Sequence, residues 1–457
     1  MTSRAFGCVL AVLAALGLGT SADGAALPRL TDPHPCAEAA GFTCSTLTVP
    51  LDRTGRVPGT LALNVAVAND GRAARGVLLF LTGGAGQAGV PATPRISLRL
   101  APVLNAYRLV MVDQRGTGGT AIDCPRLQAQ VGTSDIAAPT AAAARDCASR
   151  LGHTRSLYST GETVADLDAL RRALGISRWT LDGVSYGTYT AERYALAHPR
   201  AVKALVLDSV VPHVDHRVDE ALYLVGLQAT ARVLRASCAQ LHCGYDPAAD
   251  INLLVQHGFD GVKLFDAIVT YEFVDPSYTD LLAVIHTARL GGLADLNLLI
   301  DQMHRGGAAP ANRFSSGLHA ATLCADLRFP WGAATSLPTR RRLLERRVRQ
   351  LPERAVWPFD RPTAARNGFI STCLDWPATP PARRPPDDSK LPAVPTLLLN
   401  GDHDLSTPLE WAREEARRAP GGKLVVVPGA SHSVQSRELG ETGRKAVEAF
   451  LLGPETR

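Results

Sequence analysis

The sequence has little that favours a metal-binding or nucleic-acid-binding protein. It contains no C-x-x-C pair, and its histidines do not cluster near its cysteines, so no zinc site is expected. A formal net charge of +5 over 457 residues is mild, and nucleic acid would need positive charge gathered on one face. No apolar run beyond the N-terminus approaches the ~20 residues of a membrane span. With 46% hydrophobic and 20% charged residues, the composition is ordinary for a globular protein.

The N-terminus has the pattern of an export signal. Arg4 precedes an apolar run from Ala5 to Leu18, and small residues follow it. The alternative interpretation, a membrane anchor, needs a longer run. We therefore expect a cleaved signal peptide over residues 1–26 and a secreted, extracellular protein without stable membrane association.

The cysteines agree with export. Of nine cysteines, Cys8 would leave with the leader, and an even number would remain. Although many pairings are possible, the simplest prediction joins neighbours in sequence. These pairs are Cys36 with Cys44, Cys124 with Cys147, Cys238 with Cys243, and Cys324 with Cys373.

Apolar runs indicate a parallel sheet that is interrupted once. Between residues 76 and 211 the pattern alternates strands and helices, and its continuous apolar strands are typical of a sheet buried on both faces. Residues 212–385 lack this rhythm and contain helical stretches, including one predicted from Leu281 to Met303. Two more apolar strands follow. We expect a core over residues 27–211 and 386–457 and a mainly helical cap inserted at 212–385.

Two groups of residues in the cap suggest ligands but have simpler interpretations. The arginines at 340–342 and 346–347 resemble an anion site, yet Leu343, Leu344 and Val348 supply a buried helix face, so the arginines are expected in solvent. His213 and His216 resemble a metal site. With no partner ligands evident, we interpret them as part of the loop leading into the cap.

The segment Gly183-Val184-Ser185-Tyr186-Gly187 is a G-x-S-x-G motif. Glycines flank the serine because a sharp strand-to-helix turn leaves no room for larger side chains. An apolar strand precedes the motif and a helical pattern follows it, as such a turn requires. Ser185 is therefore the predicted nucleophile.

A serine nucleophile needs a base and a group that orients the base. In this strand–turn–helix arrangement the chain order is serine, acid, histidine. Asp404 and His432 follow two late strands in that order, at the strand ends where sites on parallel sheets form. Asp402 is the alternative acid. His403 lies between the two carboxylates and is interpreted as a surface or supporting residue.

The negative charge that develops during acyl transfer needs backbone N–H donors. The amide of Tyr186, directly after the nucleophile, is one predicted donor. The glycine-rich loop at residues 82–89 follows an earlier strand, and Gly84 is the predicted second donor. No Lys-Ser or Lys-Thr follows these glycines, which argues against a nucleotide phosphate loop.

Taken in order, these motifs resemble the α/β-hydrolase branch that includes proline iminopeptidases and secreted tripeptidyl aminopeptidases of actinobacteria. The resemblance covers about residues 40 to 440. It is carried by the following segments: Gly83 to Gly86, similar to a G-G-P-G loop; Asp113 to Gly118, which reads D-Q-R-G-T-G; the serine motif; Gly401-x-x-Asp404-x-x-Thr407-Pro408; and Cys373 to Pro377, similar to C-x-x-W-P.

The resemblance implies an α/β-hydrolase fold and release of short units from free peptide N-termini. It also favours Asp404 over Asp402 as the acid. Such enzymes need an acidic group for the substrate ammonium, and Asp326 is the candidate. Ala85 replaces the usual proline, and Gly119-Thr120 replaces the usual Arg-Ser, so the substrate preference need not be inherited.

We therefore predict a serine hydrolase that acts on a peptide or a small acyl substrate without metal or organic cofactor. An esterase or amidase for small molecules is the first alternative, because fold and triad do not set the substrate. A catalytically silent binding protein on the same fold is the second.

Overall fold

A computed structural model describes residues 2, 28–70, 73–214, 220–332, 335–380 and 384–454. The predicted leader, residues 1–26, therefore lies outside the described residues except for residue 2. Within the described ranges, nine strands form one sheet in the order β1-β2-β3-β5-β4-β6-β7-β8-β9. The strands are β1 (Leu30–Pro35), β2 (Phe42–Pro50), β3 (Thr60–Ala68), β4 (Gly76–Leu81), β5 (Tyr107–Val112), β6 (Trp179–Val184), β7 (Val202–Asp208), β8 (Thr396–Gly401) and β9 (Gly422–Val427).

The sheet is antiparallel at one edge and parallel elsewhere. Strands β1, β2 and β3 pair antiparallel, and β3 meets β5 in the same sense. From β5 to β9 all neighbours are parallel. The carboxyl ends of strands β4 to β9 therefore lie at one edge of the sheet. The loops that carry Gly84, Ser185, Asp404 and His432 begin at this edge.

Strand β4 shows why its sequence is a continuous apolar run. Leu79 and Leu81 pack into the core on one face, whereas Leu78 and Phe80 pack on the other. Alternate residues of a strand face opposite ways, so a strand covered on both faces needs apolar residues throughout. Helices lie on both faces, which confirms the predicted doubly wound sheet.

Helices come before β7, between β7 and β8, and after β8 in the chain. The first group comprises α1 (Thr93–Arg99), α2 (Ala101–Leu104), α3 (Pro125–Val131), α4 (Ala141–Leu151), α5 (Thr160–Ala173) and α6 (Tyr186–Ala197). Between β7 and β8 lie α7 (Leu224–Leu241), α8 (Pro247–Gln256), α9 (Gly261–Tyr271), α10 (Thr279–Arg289), α11 (Leu293–Gly306), α12 (Ser316–Asp326), α13 (Leu337–Arg349), α14 (Arg361–Arg366) and α15 (Gly368–Leu374). The last group comprises α16 (Leu409–Ala416), α17 (Val434–Arg437) and α18 (Thr442–Leu452).

The helices between β7 and β8 share a hydrophobic core, to which α7, α9 and α10 contribute many of the buried side chains. The predicted cap limits, residues 212 and 385, fall in the loops after β7 and before β8. The prediction of one helical stretch from Leu281 to Met303 was wrong. Gly291, with a φ of 108°, separates α10 from α11, because glycine adopts this backbone conformation without steric cost.

The arginine-rich helix α13 differs from its prediction at one position. Arg341, Arg342 and Arg346 are exposed as expected, but Arg340 is buried. Its guanidinium donates to the carbonyl oxygens of Trp376 at 2.6 Å and Cys373 at 3.2 Å. Arg340 thus holds the C-x-x-W-P segment instead of facing solvent.

Four disulfides join the cysteine pairs that are neighbours in sequence: Cys36–Cys44, Cys124–Cys147, Cys238–Cys243 and Cys324–Cys373. The last of them links α12 to α15 within the cap. Among the described residues, no helix is both long enough and apolar enough to cross a membrane.

Candidate active site

Ser185 occupies the turn between β6 and α6. Its backbone has φ 57° and ψ −129°, a conformation that non-glycine residues rarely adopt and that concentrates at functional sites. The turn is held by a 2.9 Å hydrogen bond from the Ser185 N–H to the Asp208 carbonyl at the end of β7. The side chain is thereby fixed at the carboxyl edge of the sheet.

The two glycines of the motif are required by close backbone contacts. A Cβ atom on Gly183 would lie 2.4 Å from the Gly187 carbonyl oxygen, and one on Gly187 would lie 2.2 Å from the Leu81 carbonyl oxygen. Both separations are below van der Waals contact. The structure therefore agrees with the steric interpretation of the G-x-S-x-G motif.

His432 and Asp404 form a buried pair. Nδ1 of His432 lies 3.1 Å from Oδ2 and 3.2 Å from Oδ1 of Asp404. Thr407 donates to the same carboxylate, from its N–H at 2.6 Å and from its hydroxyl at 2.7 Å. Asp402, the alternative acid, instead accepts a 2.7 Å hydrogen bond from the Gly429 N–H. The geometry favours Asp404 as the partner of His432.

The environment of His432 favours its charged form. Burial alone would lower the pKa of the imidazole, but the charge of Asp404 and its hydrogen bond outweigh burial and raise the pKa above the ordinary histidine value. A base held by a buried carboxylate in this way can accept a proton and keep it during a reaction.

Ser185 and His432 line the same cavity of about 410 Å³, together with Gly83 and Gly84. The size suits a small ligand or a short peptide segment. Within the described part of the chain no hydrogen bond joins the Ser185 hydroxyl to His432. Catalytic hydrogen bonds are often long before substrate binds.

The two predicted oxyanion donors flank Ser185. Tyr186 is the first residue of α6, so its N–H has no acceptor within the helix. Gly84 has a φ of 115°, and a Cβ there would lie 2.4 Å from the Gly86 nitrogen. Gly83 packs directly on the nucleophile, since its Cβ position is 3.1 Å from the Ser185 Cβ. The glycine loop thus brings backbone, without side chains, to the serine.

Glu272 joins the site from the cap, and sequence analysis missed it. It follows α9 and accepts hydrogen bonds from the N–H groups of Leu405, at 2.7 Å, and Ser406, at 3.0 Å, as well as from the Ser406 hydroxyl. Polar atoms of Glu272, Asp404 and His432 all lie within 4.8 Å of one another. Burial, and then the charge of Asp404, raise the pKa of Glu272 to about 8. No sequence motif surrounds Glu272, so only its contacts in the folded protein identify it as part of the site.

Asp326, the residue predicted to receive a substrate ammonium, lies elsewhere. It is buried at the end of α12 and accepts hydrogen bonds from the Thr160 N–H, at 3.0 Å, and from the Thr160 hydroxyl. The residues that line the cavity of Ser185 include Asp135 and Asp266 but not Asp326. The placement therefore argues against Asp326 in that role, because its carboxylate is used in holding α5 to α12.

His403 is also not at the surface. It is buried, and its Nδ1 lies 2.8 Å from the Pro276 carbonyl oxygen, while the Tyr278 hydroxyl donates to the His403 carbonyl at 3.1 Å. His403 therefore fastens the acid loop to the cap. Of the two interpretations offered for His403, a surface residue or a supporting residue, the structure agrees with the second.

Comparison with known proteins agrees with this architecture. A family model described as the alpha/beta hydrolase fold matches residues 76–262, and one described as TAP-like protein matches residues 361–457. The serine protease Hip1 of Mycobacterium tuberculosis is 27% identical over 89% of this chain and 86% of its own length.

Two shorter matches carry aminopeptidase names. The tripeptidyl aminopeptidase of Streptomyces coelicolor is 31% identical over 37% of this chain and 35% of its own length. A probable proline iminopeptidase of the same organism is 37% identical over 23% of this chain and 25% of its own length. The predicted resemblance is confirmed. The chain has the α/β-hydrolase fold and a C-terminal region that matches the TAP-like model, and it is a serine hydrolase whose relatives are named as peptidases.

Proposed function

We propose that this chain is an exported serine exopeptidase that releases short units from free peptide N-termini. The observation that carries the proposal is the cavity that holds Ser185 and His432 together with two carboxylates, Asp135 and Asp266. The relatives named serine protease, tripeptidyl aminopeptidase and proline iminopeptidase support the reaction class.

In the proposed reaction Ser185 Oγ attacks the peptide carbonyl carbon, and its proton passes to Nε2 of His432. Asp404 holds the Nδ1 proton and stabilises the imidazolium. The N–H groups of Gly84 and Tyr186 bind the oxyanion. The imidazolium then protonates the leaving amine, the C–N bond breaks, and an acyl-enzyme remains. Water, deprotonated by His432, releases the acyl unit and restores Ser185.

Asp135 and Asp266 are the proposed receptors of the substrate ammonium. Asp135 also faces the imidazole of His319 at 3.0 Å, and Asp266 accepts a hydrogen bond from the Ser134 hydroxyl. Burial raises the pKa of Asp266 to about 6, so this carboxyl group is ionised at neutral pH. A partly buried carboxylate in the same cavity as the nucleophile attracts a cationic amine and gives an N-acylated peptide no comparable contact.

The test is hydrolysis of chromogenic mono-, di- and tripeptides with free or acetylated N-termini, and of short acyl esters, by the secreted protein. Ser185→Ala serves as the control for the nucleophile. We expect cleavage of free-amine peptides only, lost in Ser185→Ala. Asp266→Asn should raise KM for these peptides about tenfold, the equivalent of ~1.4 kcal/mol. The matched variant Asp295→Asn, at an exposed carboxylate of α11, should leave KM unchanged.

Equal cleavage of free and acetylated peptides would overturn the exopeptidase proposal while keeping the serine peptidase. Cleavage of esters without peptides would establish the esterase alternative. Full peptide cleavage by Ser185→Ala would contradict the assignment of the nucleophile.

A further inference from the structure

Three arginines line the cavity of Ser185, and the proposed reaction uses none of them. Arg95 and Arg99 lie on α1, and Arg437 lies on α17, which follows His432. Their charges are close enough to act on one another. Burial lowers the pKa of Arg99 and of Arg437, and the positive charge of Arg95 lowers both further. The cavity therefore holds a cluster of positive charge together with the nucleophile.

No carboxylate pairs directly with this cluster. Among the residues that the structure describes, none of the three arginines forms an ion pair. Buried Asp182 and Asp208 raise the pKa of Arg99 without such contact. By contrast, the buried Arg115 donates to both carboxylate oxygens of Asp166, at 2.7 and 2.8 Å. Because positive charge without a direct partner is costly in a partly buried site, a ligand is the expected counter-charge.

Arg99 is held in a fixed place. Its Nη1 donates to the Ser436 hydroxyl at 2.6 Å, and its Cζ lies 4.7 Å from the centre of the Phe80 ring. Its other two nitrogens are buried without a hydrogen-bond partner in the described part of the chain. Arg99 therefore contributes its charge to the cavity from a buried position.

Arg437 and Arg95 have N–H donors that a ligand can reach. Cζ of Arg437 lies 4.7 Å from the centre of the Phe273 ring, and this ring meets His432 edge-on with 5.5 Å between centres. A cation–π contact fixes a guanidinium without using its N–H groups. Within the described ranges the side-chain nitrogens of Arg437 and Arg95 donate no hydrogen bond. Arg95 is exposed, so it lies where the cavity opens to solvent.

The cavity thus carries both signs of charge. Asp135, in the loop after α3, and Asp266, on α9, supply the negative groups, whereas the arginines come from α1 and α17. A short peptide with a free amine and a carboxylate presents the complementary pair of charges. Complementary charge of this kind selects among ligands of similar shape.

We propose that Arg95 and Arg437, assisted by the charge of Arg99, bind a carboxylate of the substrate, so that acidic short peptides are the preferred substrates. The planar guanidinium group matches the two oxygens of a carboxylate. An acidic side chain and a C-terminal carboxyl group present the same anion, and the test separates them. That the ligand is a peptide rests on the proposed function, whereas the anion site itself does not.

The test compares kcat/KM for pairs of free-amine peptides that differ by one charge, with products measured by mass spectrometry. In one set, a peptide amide carries Glu or Gln at each position in turn. In the other, a neutral peptide ends in a carboxylate or in an amide. We expect a preference of about tenfold for the charged member of at least one pair. The pair that shows it identifies which carboxylate is bound.

Arg95→Gln and Arg437→Gln should each remove most of this preference. The matched control Arg413→Gln, at an exposed arginine of α16 outside the cavity, should keep it. The ratio within a pair cancels any general effect of a variant on His432. Thermal unfolding shows whether the variants fold, and Arg95→Gln, at an exposed side chain, decides alone if Arg437→Gln does not.

Binding of the same peptides to Ser185→Ala, measured by calorimetry, makes the result independent of hydrolysis. We expect tighter binding of the charged member, weakened by added salt. Equal binding within every pair would overturn the inference, whether or not the unaltered protein cleaves peptides. A charge preference that persists in folded Arg95→Gln would also overturn it. Preferential binding without any cleavage by the unaltered protein would support the anion site and contradict the proposed function.

Discussion

The carboxylate of Glu272, at the end of a cap helix, accepts a 2.7 Å hydrogen bond from the N–H of Leu405, the residue directly after Asp404. The acid loop of the core is therefore held by the cap. Its position depends on a residue that lies more than a hundred positions away in the sequence.

This relationship makes Glu272 a positioning residue for the Asp404–His432 pair. Glu272→Gln keeps the shape of the side chain but replaces one of the two carboxyl oxygens that accept hydrogen bonds from Leu405 and Ser406. We expect kcat/KM for free-amine peptides to fall about tenfold, the equivalent of ~1.4 kcal/mol. Because burial and the charge of Asp404 raise the pKa of Glu272 to about 8, this carboxyl group is mainly neutral below pH 8, and the acidic limb of the pH–rate profile should stay in place. Glu345→Gln, at an exposed carboxylate of α13, is the matched control and should change neither quantity.

A shift of the acidic limb to lower pH in Glu272→Gln would show that Glu272 is charged beside His432 and would contradict a role through hydrogen bonding alone. An unchanged kcat/KM would contradict any role in positioning.

The pH dependence of the unaltered enzyme follows from His432. The imidazole accepts the serine proton only when neutral, and its pKa lies above the ordinary value of 6.5. The value of kcat/KM should therefore fall as the pH decreases through a midpoint above 6.5. Stopped assays from pH 5 to 9 measure this midpoint, and circular dichroism at each pH shows whether the fold persists. A midpoint at or below 6.5 with intact fold would contradict the influence of Asp404.

Two glycine-to-alanine substitutions should have opposite outcomes. Gly187→Ala would place Cβ 2.2 Å from the Leu81 carbonyl oxygen, so we expect loss of activity and lowered stability. Gly161 lies in α5 with only the Ser159 hydroxyl oxygen near its Cβ position, at 3.7 Å. Gly161→Ala should therefore retain activity and melt at the same or a slightly higher temperature. Thermal unfolding and peptide hydrolysis test both, and a fully active Gly187→Ala would contradict the steric account.

The sequence predicts this fold well where the signal is local. The apolar run of β4 is continuous because both its faces are buried, and the turn at Ser185 requires glycines at fixed spacing. Chain order then predicts an acid and a histidine after later strands. The structure places Oδ2 of Asp404 3.1 Å from Nδ1 of His432.

What the sequence could not predict depends on long-range packing. Glu272 contacts the acid loop only because α9 lies against it, and no motif identifies that contact. His213 lacked evident partners because Glu415, whose Oε1 lies 2.8 Å from its Nδ1, belongs to a distant helix. The places of Asp326 and Arg340 could not be predicted for the same reason, since their hydrogen-bond partners belong to other segments.

The central claim is that Ser185 is the nucleophile activated by His432 and Asp404. Labelling with a fluorophosphonate probe, followed by peptide mapping, tests it most directly. We predict a single label on Ser185, no label in Ser185→Ala, and much slower labelling in His432→Ala. A label on another serine, or peptide hydrolysis that persists in Ser185→Ala, would contradict the claim.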